Sequence, residues 1–146
     1  MTAKALHIKT NGETQVVTLP DSNAYEAINE MVGGWFDAVR LEDSVVYVHD
    51  EGLLIEGMEP NVFASYLTGQ VIMGDVVVIG SLNAQGEYDG ENYDVPTEIV
   101  EMATEKALAM NTHEEFRQRV VAGRDRIMGD PVKVYAQNEN GEWERV

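Results

Sequence analysis

The chain has 146 residues, 44% of them hydrophobic, no cysteine and a formal net charge of −16. That length suits one domain, or a domain with a small appendage, able to bury a core without covalent staples. The missing cysteines exclude disulfides, thiolate metal sites and cysteine nucleophiles, and the acidic balance argues against nucleic acid and anionic lipid as direct partners.

Taken in chain order, residues 5–9 and 14–19 alternate around Asn11-Gly12. This predicts a hairpin whose two turn positions both sit at φ > 0. Pro20 ends the second strand, and Asp21 or Ser22 is placed to cap a helix whose apolar stripe is Ala24, Ala27, Ile28 and Met31. Gly33-Gly34 stops that helix. Residues 35–41 read as a strand with Trp35, Val39 and Leu41 on one face, Glu42-Asp43 as a turn, and residues 44–49 as a β-branched and aromatic strand. Asp50-Glu51-Gly52 turns the chain into Leu53-Leu54-Ile55, and a short helix is expected over 61–67, between Pro60 and Gly69. Residues 71–73 and 76–79 read as two apolar strand segments, the second buried on both faces. Residues 81–95 predict a long acidic loop, or a hairpin tip with its tyrosines packed back on the sheet.

Pro96 suits the first turn of a helix whose stripe is Ile99, Met102, Ala103, Lys106, Ala107 and Met110. Thr112-His113-Glu114-Glu115 reads as a capping box for a second helix with Phe116, Val120 and Ile127 on one face and Gly123 weakening its middle. Residues 132–137 and 142–146 are expected to pair across Asn140-Gly141. The fold class is α+β: a mainly antiparallel sheet with a short helix or two packed on it, followed by two helices and a terminal hairpin. The organisation expected is a core over 1–95, with its acidic loop at 81–95, and a helical pair plus hairpin over 96–146 packed on that core.

The familiar chemistries are absent from the sequence. There is no G-x-G-x-x-G, no Walker-type phosphate loop, no H-E-x-x-H and no G-x-S-x-G. His7, His49 and His113 do not stand at metal-ligand spacing. Setting Gly90 at the EF-hand glycine puts Pro96 where the bidentate glutamate belongs. No catalytic residue, metal site or cofactor is expected, and with no apolar run of membrane length the chain reads as a soluble, cytoplasmic protein that is not an enzyme.

Charge is the strongest signal. Residues 41–105 hold fourteen carboxylates and no Lys or Arg, whereas residues 106–146 hold seven of each sign. The candidate partner-binding residues are Glu42, Asp43, Asp50, Glu51, Glu56, Glu59, Glu87, Asp89, Glu91 and Asp94. Arg117, Arg119, Arg124 and Arg126 form the one basic patch, suited to pairing with the acidic region within the chain or across a homo-oligomer interface.

Three stretches carry a family resemblance: Met31-Val32-Gly33-Gly34-Trp35-Phe36-Asp37-Ala38-Val39, then Val45-Val46-Tyr47-Val48-His49-Asp50-Glu51-Gly52 with the downstream Asn61, then Ile72-Met73-Gly74-Asp75-Val76-Val77-Val78-Ile79-Gly80. In this order they resemble the domain of unknown function 3846 family of phages, plasmids and related mobile elements, over roughly residues 3–82. The resemblance implies an accessory protein of a mobile element and carries over no catalytic residue. With the charge map it leads to an acidic protein that binds a basic surface on a host protein, one form of which is a DNA-mimicking inhibitor. Two alternatives stay open: an oligomer that binds or sequesters a small ligand such as a nucleotide, and an acidic surface kept for solubility or high salt.

Overall fold

The computed structural model describes residues 2–128, 135–137 and 139–145. Six strands form one antiparallel sheet: β1 (Ala3–Ile8), β2 (Thr14–Leu19), β3 (Phe36–Arg40), β4 (Ser44–His49), β5 (Val76–Leu82) and β6 (Tyr88–Tyr93). The order is β2-β1-β5-β4-β3, with β6 paired to the last part of β5. Helices α1 (Ala24–Val32), α2 (Val62–Thr68), α3 (Thr97–Asn111) and α4 (Glu114–Ile127) surround it. A separate two-stranded hairpin joins β7 (Tyr135–Gln137) to β8 (Trp143–Arg145). Of the terminal hairpin expected from the sequence, residues 132–134 and 146 lie outside the described residues.

β5 is central because its side chains divide between two cores. Val76 and Val78 join Leu6, Ile8 and Val46 beneath α2 and α3, with Phe63, Ile99, Ala103 and Ala107. Val77 and Ile79 face the other way, with Ala5, Val45 and the α1 residues Ile28 and Val32. Val46, Val76, Val77 and Val78 are wholly buried, which contributes about 1.5–3 kcal/mol apiece. The four-residue apolar run is therefore a strand buried on both faces, as its composition predicts.

Several expectations are corrected. The first turn takes positive φ only at Gly12, not at Asn11, because Lys9 and Glu13 enclose a three-residue loop ending in a left-handed glycine. A Cβ on Gly12 would also lie 2.6 Å from Leu108 Cα in α3. Helix α1 is not capped by Asp21 or Ser22; Asn23 is its cap, at φ 66° and without a side-chain cap bond. Trp35 precedes β3 and is 76% exposed, while Val39 and Leu41 do pack on the first core. Leu53–Ile55 remains in turns, and of 71–73 only Met73 bridges, to Pro60. Of the two readings of 81–95 the hairpin holds, with the end of β5 and the strand β6 joined by a turn at 83–87, but Tyr88 at its tip is 54% exposed. In α3, Lys106 is exposed and Asn111 buried; in α4, Ile127 is 59% exposed. The capping box fails too: the cap of α4 is His113, whose Nδ1 accepts from Phe116 N–H, while the Thr112 hydroxyl donates to Leu108 O at the end of α3. Gly123 in the middle of α4 is buried against Val71, where a Cβ would meet Val71 Cγ2 at 2.8 Å.

Two buried asparagines join these parts. Asn61 caps α2, accepting from Ala64 N–H at 3.2 Å, and donates through Nδ2 to Ile8 O and Gly74 O, both at 3.1 Å. Asn111 donates to Lys9 O at 2.9 Å and to Asn61 Oδ1 at 3.0 Å, and accepts from Phe63 N–H at 2.7 Å. Replacing Asn111 by Ala strands a buried N–H, a carbonyl and one side of Asn61, so Asn111→Ala should lower unfolding free energy by about 2–3 kcal/mol. Thr112→Ala, at the exposed position the sequence marks as a cap, should change it by less than about 0.5 kcal/mol. Urea denaturation of the two variants checks both, and equal losses would contradict the assignment.

Candidate functional site

The candidate acidic residues separate into two groups at opposite ends of the sheet. Glu42 and Asp43 turn β3 into β4, and Asp43 O accepts from Ser81 N–H at 3.1 Å, which sets them beside the β5–β6 hairpin bearing Glu87, Asp89 and Glu91. Asp94 follows β6 at the same end. Asp50, Glu51, Glu56 and Glu59 lie at the far end, after β4, where Asp50 N–H bonds Trp35 O and Gly74 N–H bonds Glu59 O. The six residues of β4 put about 17 Å between the two groups. The acidic residues thus form two clusters and not one row.

Within the clusters the carboxylates differ in what they hold. Asp94 Oδ1 accepts from Lys4 N–H at 2.8 Å and so fastens β6 to β1. Asp89 takes the Tyr93 hydroxyl and the Glu91 N–H, which hold it below its ordinary pKa; the same bond pushes the Tyr93 phenol up to about 12. Glu59 pairs with Arg117. By contrast, the side chains of Glu42, Asp43, Glu51, Glu56, Glu87 and Glu91 form no ion pair or hydrogen bond among the described residues, and all six are exposed. These are free to meet a partner.

The arginine patch is dispersed. Arg117 points inward, donating to Asn111 O at 2.8 Å and Thr10 O at 3.3 Å beside its pair with Glu59. Arg119 pairs with Glu115 and Arg124 with Asp125 on the surface of α4, while Arg126 is exposed. Contact between the acidic stretch and the arginines thus occurs within the chain, at Arg117.

An aromatic cluster went unread in the sequence. Tyr25 of α1 stacks on Phe36 of β3 with ring centres 5.8 Å apart, and Phe36 meets Tyr47 of β4 edge-on at 4.9 Å. Arg40 lies over the Tyr88 ring of β6, 4.3 Å from its centre, and donates to the Tyr88 hydroxyl at 2.6 Å. Tyr47 stands at the middle: burial raises its phenol pKa, and Tyr25, Tyr88 and Arg40 are close enough to act on it. Phe36, Ala38 and Arg40 share one strand parity, which was the available signal, but the contributions of α1 and β6 depend on topology.

The three resemblance motifs converge at the far end. Val32, Gly33, His49, Gly74 and Asp75 line a cavity of about 520 Å³ with Thr10, Glu30 and Glu59. Other glycines of the motifs, outside the cavity lining, serve packing. A Cβ on Gly34 would lie 2.7 Å from His49 Nε2, one on Gly52 2.8 Å from Met73 O, and one on Gly80 2.1 Å from Asp94 O. His49 Nδ1 accepts from Glu51 N–H at 3.0 Å, and Asp75 Oδ1 from Thr10 N–H at 2.9 Å. Among the described residues, no three His, Asp or Glu side chains are grouped to hold a metal ion, and no helix is long and apolar enough to cross a membrane.

A family model described as "Domain of unknown function (DUF3846)" matches residues 1–107, reaching past residue 82 into the last turns of α3. Neither the curated proteins nor the solved structures contain a match.

His7, on the α1 face of β1, has a buried Nε2 without a hydrogen-bond partner, 3.9 Å from Asp75 Oδ2. Burial lowers its pKa below the ordinary 6.5, opposed by Asp75 and by a backbone bond at Met31, and reinforced by Lys9. The unfolded chain therefore binds a proton near pH 6.5 that the folded chain refuses until lower pH. Stability should fall as pH drops through that window and level off below the folded pKa. Thermal unfolding from pH 7.5 down to about 5.5 should show a steeper decline for the native chain than for His7→Leu; parallel declines would exclude His7 as the source.

Proposed function

The chain belongs to the domain of unknown function 3846 (DUF3846) family, and from that premise we propose that it is an acidic binding protein, not an enzyme, that engages a basic surface on a host protein. It acts in the cytoplasm as an accessory protein of a phage or other mobile element. One observation carries the reading: Glu42, Asp43, Glu87 and Glu91 gather at one end of the sheet with no bond of their own, while the nearby Arg40 is held by Tyr88. Carboxylates used by the fold would be paired or bonded to backbone, as Asp89 and Asp94 are. Unpaired like charges repel one another and cost stability. Their concentration beside an aromatic cluster open to solvent at Tyr25 and Tyr88 matches the make-up of a protein-binding surface, in which aromatic anchors sit within a polar rim.

Fields from exposed charges fade over about 10 Å at 0.1 M salt, so capture of the partner should weaken steeply as ionic strength rises. The check is a pull-down from host lysate at low and high salt, repeated with a variant combining Glu42→Gln, Asp43→Asn, Glu87→Gln and Glu91→Gln. The native chain should retain its partner at low salt only, and the variant should lose most of it at both. Equal capture by the two proteins at both salts would show that this acidic cluster serves solubility alone.

A further inference from the structure

The two faces of the sheet are covered unequally. α2 and α3 lie over one face with α4 packed against them, but the other has only α1, nine residues and about 13 Å long. α1 seals Ile28 and Val32 over β4 and β5 and leaves the next part of that face open. Tyr25, Phe36, Tyr47 and Tyr88, from four different elements, occupy this part, with Tyr25 70% and Tyr88 54% exposed. Phe36 and Tyr47 are half-buried against the core beneath α1, whereas the Tyr25 and Tyr88 rings face solvent, where they gain little for folding and offer π-faces to a partner. The unpaired Glu42, Glu87 and Glu91 stand at the neighbouring hairpin end, and Glu26 follows Tyr25 on α1.

We propose that this face, Tyr25, Phe36, Tyr47 and Tyr88, is the contact surface for an arginine-rich segment of the basic protein partner. The inference rests on the basic-partner reading and names the side chain recognised. The chain itself displays the mode: Arg40 lies over the Tyr88 ring while hydrogen-bonding its hydroxyl. An incoming guanidinium stacks on Tyr25 in the same way, with a carboxylate at its edge. Arginine suits this better than lysine because a planar guanidinium stacks and forks at once, whereas an ammonium is a strongly hydrated point charge. The surrounding carboxylates repel a nucleic acid that would otherwise stack its bases on such rings.

The test uses the full chain with oligo-arginine and oligo-lysine peptides of equal length, measured by calorimetry at low salt. The native chain should bind oligo-arginine about tenfold more tightly than oligo-lysine. Tyr25→Ala, at an exposed position, should remove that preference, and Tyr25→Phe should keep it. Carboxylates alone can favour arginine, so a preference that survives in Tyr25→Ala overturns the proposal and leaves the basic-partner reading standing. Equal, salt-sensitive binding of both peptides to the native chain does the same. Binding of neither peptide overturns both. Affinity for a single-stranded oligonucleotide that Tyr25→Ala abolishes, or a dimer that Tyr25→Ala splits without altering peptide binding, also overturns it.

Discussion

The contact between Asn61 and Asn111 is the constraint on which most of the remaining structure depends. Both side chains are wholly buried, and burying an amide without partners costs about 1–3 kcal/mol per group. Asn61 meets that cost by using all of its hydrogen-bonding capacity: two donations to carbonyls at the end of β1 and before β5, and two acceptances from α2 and α3. Asn111 then has no freedom of position, because its amide must reach Lys9 O, Phe63 N–H and Asn61 together. The first hairpin, the start of α2, the entry to β5 and the end of α3 are thereby fixed at one point. Arg117 extends the arrangement, holding the carbonyls of Thr10 and Asn111 while pairing with Glu59.

That arrangement reaches beyond the family match. Asn61 lies inside residues 1–107, but Asn111 and Arg117 follow it. The last turn of α3 and the start of α4 are therefore working parts of the core and not an appendage, and the chain shortened to the matched residues would leave Asn61 with an unused acceptor in an apolar interior. The motif glycines are explained on the same steric terms. Each of Gly34, Gly52 and Gly80 stands where a side chain would strike a histidine ring or a carbonyl oxygen, so close packing accounts for glycine at these positions.

What could be read from the sequence were features with local causes. The double burial of β5 followed from four consecutive branched residues, the stop of α1 from Gly33, and the start of α2 from Asn61. Where tertiary contacts competed with a local preference, the reading failed. Thr112 suits the cap of α4 by its residue type, but tertiary position moves the cap to His113, since Asn111 must stay in α3 to reach Asn61 and Thr112 closes that helix. For β6 the sequence leaves loop and hairpin open, because Tyr-Asp-Gly-Glu-Asn-Tyr has neither apolar alternation nor β-branched residues; it is a strand because β5 offers it an edge and Asp94 fastens its end to β1. The acidic residues could be counted from the sequence but not sorted, since only the topology sends Asp50 and Glu87 to opposite ends.

Sorting them changes what the charge of −16 means. A uniformly acidic surface spreads its repulsion and needs no explanation beyond solubility. Here Asp75, Asp89 and Asp94 are bonded into the backbone framework and Glu59 to Arg117, so those carboxylates stabilise the fold at neutral pH. Among the carboxylates left unbonded, Glu42, Asp43, Glu87 and Glu91 stand together where the fold makes no use of them, at the tips of two adjacent hairpins. Arg40, which reaches that end of the sheet, is turned onto Tyr88 instead of toward them. A charge arrangement that is locally unfavourable, bordered by aromatic rings left uncovered by a short helix, is better suited to meeting an opposite charge than to standing alone in water.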